Sequence, residues 1–248
     1  MKRTLAAAFC CCLLAGAAIA ASPAPLSPAQ KQAVRDLIRE TLVSDPEILA
    51  EAMDALKAKR TEEMRATQSK AIAEHWADIV RKDDPFLGAA KTPAVTAVEF
   101  FDYNCGYCRQ VFPEILKALK AHPDVRMIIK DLPVLGPDSE AVTRLALAAR
   151  AQGRYADYHI ALMKSDEHMN EATALKIAES LKLDVKKLKA DAAGPAVEET
   201  MVRNLSLAPA LGIRGTPAFI VGKDLIPGAI SGEDMARLFA ESKKAPAK

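Results

Sequence analysis

Between residues 96 and 130 the apolar pattern changes period twice. Thr96 to Tyr103 carries the run Ala97-Val98-Glu99-Phe100-Phe101, which reads as a buried strand. Cys108 to Ala121 repeats apolar residues at helical spacing, and Val125 to Lys130 returns to a strand pattern. Helical periods then follow over 138–152, 155–164, 171–181, 185–192 and 197–211. Ala218 to Val221 and Asp224 to Ile226 form a predicted hairpin about Gly222-Lys223, and Ser231 to Ser242 reads as a capped closing helix. Strand, helix, strand, a helical block, a hairpin and a last helix make an α/β fold with an all-helical insertion at about residues 136–212.

The region before Pro85 has a different character. Val34, Leu37, Ile38, Thr41 and Leu42 recur at helical spacing between Ala29 and Ser44. Ser44-Asp45-Pro46-Glu47 ends that helix and starts another, which carries Ile48, Leu49, Ala52, Met53, Ala55 and Leu56. Lys57 to Lys70 is polar with almost no apolar stripe, and reads as a solvated helix or a spacer. A third short helix, Ala71 to Val80, regains a stripe through Ile72, Trp76, Ile79 and Val80. Two short helices cannot bury their apolar faces on each other alone. They are expected to self-associate, making 21–84 a helical oligomerisation segment and linker; the alternative is a helical hairpin folded over the 85–248 domain.

Charge and cysteine placement narrow the class. Lys2 and Arg3 precede an apolar and small-residue run from Leu5 to Ile19, and Ala18-Ile19-Ala20 fits a cleavage site, so residues 1–20 read as an export signal. The alternative, a retained membrane anchor, needs about 20 apolar residues. The whole chain has a net charge of +2, and loss of Lys2 and Arg3 leaves acids and bases balanced, so no nucleic-acid partner is implied. Of five cysteines, Cys10, Cys11 and Cys12 fall inside the export segment. The remaining pair is therefore a reagent rather than a staple, in a periplasmic setting.

That pair is Cys105-Gly106-Tyr107-Cys108, between a strand and a helix. A sulfur at a helix start meets unpaired N–H groups and the positive end of the helix dipole, which favour the thiolate. Half a zinc site is the competing reading, but no second ligand pair at matching spacing stands elsewhere. No metal or cofactor is called for. His75, His122, His159 and His168 are scattered and read as surface or packing residues, and Met163, His168 and Met169 do not make a metal site. About a hundred residues later Gly215-Thr216-Pro217 opens the hairpin.

Strand–CGYC–helix together with Gly-Thr-Pro before a hairpin resembles the DsbA-like thioredoxin family of periplasmic thiol–disulfide oxidoreductases, over roughly Pro85 to Ser242. The preceding helices make the chain similar to its suppressor-of-copper-sensitivity protein C (ScsC) group, whose N-terminal segment mediates oligomerisation, to trimers in some members. The resemblance implies a thioredoxin-like fold and a cis bond at Thr216–Pro217 in a loop facing the dithiol. It also implies backbone donors and acceptors at Thr216 for an extended substrate. Cys105 is then the attacking sulfur, Cys108 the resolving one, and Glu99 the buried acid beneath them. The alternative for Glu99 is an ordinary strand carboxylate in solvent. Lys130 is a candidate partner for Glu99, or a surface lysine. Gly106 and Tyr107 face substrate, and where strongly oxidising relatives carry Pro-His, Gly-Tyr supplies no extra donor or charge to the thiolate.

The function this implies is a disulfide isomerase or reductase for exported proteins, kept reduced by a DsbD-like membrane partner. The alternatives are a monomeric disulfide oxidase, or a copper-binding redox chaperone using the two thiolates as ligands.

Overall fold

The computed structural model describes residues 25–88 and 92–244. The expected export segment and Cys10, Cys11 and Cys12 lie outside the described residues. The chain divides into two compact units at Lys57/Ala58.

The first unit holds α1 (Pro28–Ser44) and the start of α2 (Glu47–Glu74). Ser27 caps α1 through a capping box with Gln30, and Pro28 sits in its first turn. No residue of α1 is buried. Leu37, Ile38, Leu49 and Met53 are all more than half exposed, so the stripe seen in the sequence has no cover inside this unit. The polar run 57–70 is continuous helix: α2 passes through it without a break.

The second unit is built on a five-stranded sheet in the order β1-β3-β2-β4-β5. Its strands are β1 (Phe86–Leu87), β2 (Val95–Phe101), β3 (Val125–Asp131), β4 (Ala218–Val221) and β5 (Asp224–Pro227). β2 and β3 run parallel, joined through α4 (Gly106–Ala121); every other pairing is antiparallel. The two-residue edge strand β1 was not anticipated; it is too short to show a period. Strand β2 is buried on both faces because helices cover each side.

Alternation along the strands divides the interior in two. Ala97, Phe101, Met127, Ile129 and Phe219 pack with Val111, Phe112 and Ile115 of α4, with α10 (Gly232–Lys244), and with the helical insertion. Val98, Phe100, Ile128 and Ile220 pack on the other face with Leu207, Leu211 and Ile213. Ile72 and Ile79 join that second cluster, so residues 71–80, grouped by sequence with the N-terminal helices, help close the back of the sheet. The third helix is divided: α2 takes its first turn, and α3 is only Trp76–Ile79.

The insertion comprises α5 (Pro137–Ala148), a 3₁₀ turn, α6 (Tyr155–Lys164), α7 (Glu171–Ser180), α8 (Val185–Ala192) and α9 (Pro195–Ala210). Asn170 and Asp184 cap α7 and α8 by accepting from Thr173 N and Lys187 N. His159 of α6 sits fully buried among Phe101, Tyr103, Phe112 and Tyr155, its Nδ1 3.1 Å from the Tyr103 hydroxyl. Burial pushes it down to about 3, so this histidine is a neutral packing group.

Lys130 is neither a partner of Glu99 nor a surface lysine. Glu99 pairs in register with Ile129 and Phe219, whereas Lys130 sits opposite Phe100. One residue of offset places the two side chains on opposite faces of the sheet. Lys130 is fully buried, donating to Asp84 Oδ2 at 2.6 Å and to the Asp78 carbonyl at 3.1 Å. Asp84 also accepts from Arg81 N and lies 3.8 Å from Arg203.

Candidate active site

Cys105 is the N-cap of α4, in extended backbone conformation with φ −75° and ψ 112°. Its Sγ accepts from Cys108 N at 3.4 Å and, in the protonated state, donates to the Thr216 carbonyl at 3.2 Å. Both Cys105 and Cys108 are free thiols. Cys105 falls to about 6, chiefly through the Cys108 thiol; burial opposes this, and the Thr216 hydroxyl and the N–H groups of Cys108 and Tyr107 assist. Cys108, one turn inward and fully buried, is pushed far above the ordinary thiol range by burial, by its bond to Cys105 and by the Glu99 charge. One sulfur is therefore a thiolate at neutral pH and its neighbour a thiol. The oxidised form can be made by joining the two.

Glu99 lies on the α4 face of β2, fully buried, and neither carboxyl oxygen has a hydrogen-bond partner. Burial, then the Cys105 charge, raise it from 4.5 to about 8, so it is protonated at neutral pH. The carboxyl is thus in the protein interior, electrostatically coupled to both sulfurs.

On the opposite wall the Thr216–Pro217 peptide bond is cis. Pro217 is buried and its carbonyl accepts from Gly228 N at 2.8 Å, while Thr216 is half-buried and its carbonyl faces Cys105. Gly106 is open: a Cβ there would meet no atom within 4 Å. Tyr107 is 67 % exposed and forms the outer lip of the dithiol. The fold thus brings Cys105, Cys108, Glu99 and Thr216 together, with Gly106 and Tyr107 on the rim.

Sequence reasoning did not find the polar frame around the site. Asp102 is fully buried and its carboxylate accepts from Asn104 N, Ser139 Oγ, Val134 N and Leu135 N. Behind it, Tyr155 donates to Asp131 Oδ2 at 2.8 Å, and burial raises the Asp131 carboxyl to about 7. The signal available was a carboxylate at the end of an otherwise apolar strand, in each case. Met163 and Met169 are buried in the insertion, and His168 is exposed and paired with Asp138 at 2.9 Å.

A dithiol at a helix N-terminus facing a cis-proline loop, on a thioredoxin-type sheet with a helical insertion, defines the class. Residues 96–240 match the DSBA-like thioredoxin domain family, more than half of the chain, and the protein belongs to that family. Residues 30–63 match the N-terminal domain of the copper resistance protein ScsC.

Among solved structures, a thioredoxin-like oxidoreductase from Silicibacter pomeroyi DSS-3 is 37% identical, with a TM-score of 0.66, covering 68% of this chain and 98% of that one. Proteus mirabilis ScsC in a transitional conformation is 32% identical, with a TM-score of 0.64, covering 88% of this chain and 97% of that one. The ScsC catalytic domain from the same organism is 27% identical over 71% of this chain and 99% of that one, with a TM-score of 0.65. A curated relative, Na(+)/H(+) antiporter NhaA 3 of Salinispora tropica, is 27% identical over 171 residues. The chain spans about a quarter of the length of the curated relatives it matches. No helix among the described residues is long and apolar enough to cross a membrane.

Proposed function

We propose that this chain is a thiol–disulfide oxidoreductase acting on cysteine-containing exported polypeptides, in the direction of disulfide isomerisation or reduction. The single observation that carries the reading is the division between the sulfurs. Cys105 is held as a thiolate chiefly by the Cys108 thiol, with the Thr216 hydroxyl and the helix N–H groups assisting, and Cys108 beside it is held as a thiol. The Cys105 thiolate attacks one sulfur of a substrate disulfide, forming a mixed disulfide and releasing the other substrate sulfur as a thiolate, which takes a proton. In isomerisation a different substrate thiolate then attacks the substrate sulfur of the mixed disulfide, forming a new substrate disulfide and returning Cys105. In reduction Cys108 loses its proton and attacks Cys105, releasing the second substrate thiolate and leaving the Cys105–Cys108 disulfide. A dithiol reductase of the membrane, the DsbD-like partner, then supplies two electrons.

Glu99 serves the second route. Its carboxyl is buried, without a hydrogen-bond partner, and electrostatically coupled to Cys108. Raised to about 8, it is ionised in a fraction of molecules at neutral pH, and that carboxylate takes the proton Cys108 must lose before it can act. Thr216 offers a carbonyl to the backbone of an extended substrate beside Cys105. Gly106 and Tyr107 place no cation next to the thiolate, which leaves the dithiol form less favoured than a histidine would and disfavours a purely oxidising role.

Assembly is part of the same reading. The exposed stripe of α1 and the first half of α2 coincides with the match to the ScsC N-terminal domain, and covering it with copies of itself would set several dithiols around a shared space. The proposed compartment is the periplasm.

The test is reactivation of scrambled ribonuclease and reduction of insulin by the reduced protein. Both activities are expected, and both are expected to vanish in Cys105→Ser. Insulin reduction without ribonuclease reactivation would limit the function to reduction. Retained activity in Cys105→Ser would overturn the assignment of the nucleophile.

A further inference from the structure

The turn from β2 into α4 is held from two sides. On the sheet side, Asp102 Oδ1 accepts from Asn104 N at 2.8 Å and from Ser139 Oγ at 2.7 Å. Its Oδ2 accepts from Val134 N at 2.9 Å and Leu135 N at 3.0 Å, and its carbonyl accepts from Cys105 N at 3.0 Å. On the far side the Asn104 carboxamide pairs with the backbone of Met169, a fully buried residue between α6 and α7. Asn104 Nδ2 donates to the Met169 carbonyl at 2.8 Å, and Oδ1 accepts from Met169 N at 3.0 Å. Just after the dithiol, Arg109 Nη1 donates to the Glu167 carbonyl at 2.9 Å. The segment 165–170 of the helical insertion is thus stitched to the residues on both sides of Cys105–Cys108.

We propose that Asn104 is a positioning residue for the dithiol: its two-bond pairing with Met169 fixes the turn that aims Cys105 Sγ at the N–H of Cys108 and the carbonyl of Thr216. This rests on the reading of Cys105 as the reactive sulfur. Cys105 follows Asn104 directly, and its sulfur reaches the helix N–H groups only in the N-cap conformation observed. An alanine at 104 strips a buried N–H and a buried C=O of their partners together. Those groups are satisfied again only if the turn and the insertion segment separate and water enters. The sulfur then swings away from its donors. Asparagine suits the position because a single short arm must carry one donor and one acceptor. Aspartate lacks the donor and would set a second negative charge beside the thiolate.

The experiment follows alkylation of Cys105 in the reduced full chain from pH 4 to pH 10, with mass spectrometry locating the adduct, alongside thermal unfolding. For Asn104→Ala the midpoint is expected to move up by about one unit. That makes alkylation at pH 5 about tenfold slower than in the unmodified protein while the limiting rate at high pH is kept. Backbone amide exchange at Met169 is expected to accelerate. A midpoint unchanged from about 6 with only a lower melting temperature would reduce Asn104 to a structural brace and overturn the proposal. Should Asn104→Ala fail to fold, Asn104→Ser gives the same comparison with a smaller side-chain deletion. A midpoint near that of free cysteine in the unmodified protein would instead refute Cys105 as the reactive sulfur, and the positioning role with it.

Discussion

Glu99→Gln isolates the energetic consequence of a carboxyl buried beneath the dithiol without a hydrogen bond. In the folded protein Glu99 binds its proton up to about pH 8, whereas its ordinary value is 4.5. The unfolded chain therefore gives up this proton first as pH rises. Stability from this group is fully present below about pH 4.5 and is lost as pH climbs through 8. At about 1.4 kcal/mol per unit, the whole window represents on the order of 4–5 kcal/mol. Roughly 3–4 kcal/mol of that falls between pH 5 and pH 8.

Two other groups act in the same range. Asp131, raised to about 7, also loses stability as pH rises, while Cys105, lowered to about 6, gains it between pH 6 and pH 9. The effect of Glu99 is thus read as a difference between the two proteins. The cost of burying a glutamine amide is the same at both pH values and cancels. Urea unfolding under reducing conditions at pH 5 and pH 8 is the assay. Glu99→Gln is expected to be more stable relative to the unmodified protein at pH 8 than at pH 5, by about 3–4 kcal/mol. An identical pH dependence in the two proteins would refute the argument, since it would mean that Glu99 is ionised or solvated in the fold.

Asp84→Asn should cost about 3–5 kcal/mol in urea unfolding, because it leaves Lys130 buried with its charge uncompensated; Asp84→Asn combined with Lys130→Met should recover most of that loss. Tyr107→His should lower the alkylation midpoint of Cys105 below about 6 and make the protein a stronger oxidant in glutathione equilibria, since a cation beside the thiolate favours it. An unchanged potential would show that Gly-Tyr does not set the redox direction. A chain starting at Ala58 retains Ile72 and Ile79 and should fold with its dithiol chemistry intact. It should sediment as a monomer and lose ribonuclease reactivation; retention of both assembly and isomerase activity would place the association surface elsewhere.

Much of this molecule is legible in one dimension. The strand before the dithiol, the helix after it and the hairpin after Thr216-Pro217 each announce themselves because local period and punctuation are short-range properties. The apolar stripes of the first two helices were equally visible, as was their lack of a home. Lys57 to Lys70 was legible only as polar: the sequence pattern did not distinguish a spacer from a helix, and α2 continues through it to Ile72, which is anchored in the core.

The dithiol's identity, its helix N-cap position and the lack of a cation between its two cysteines follow from residue order alone, since capping and the helix dipole act within one turn. What the sulfurs face does not. That Lys130 turns away from Glu99 toward Asp84 depends on the register of β2 against β3, in which one residue of offset reverses the face. That Asn104 grips Met169 and Asp102 holds the loop at Val134 depends on segments far apart in the chain being folded together. Such bonds leave no periodicity behind. Buried polar groups find partners wherever the fold brings them, and only three dimensions say which ones.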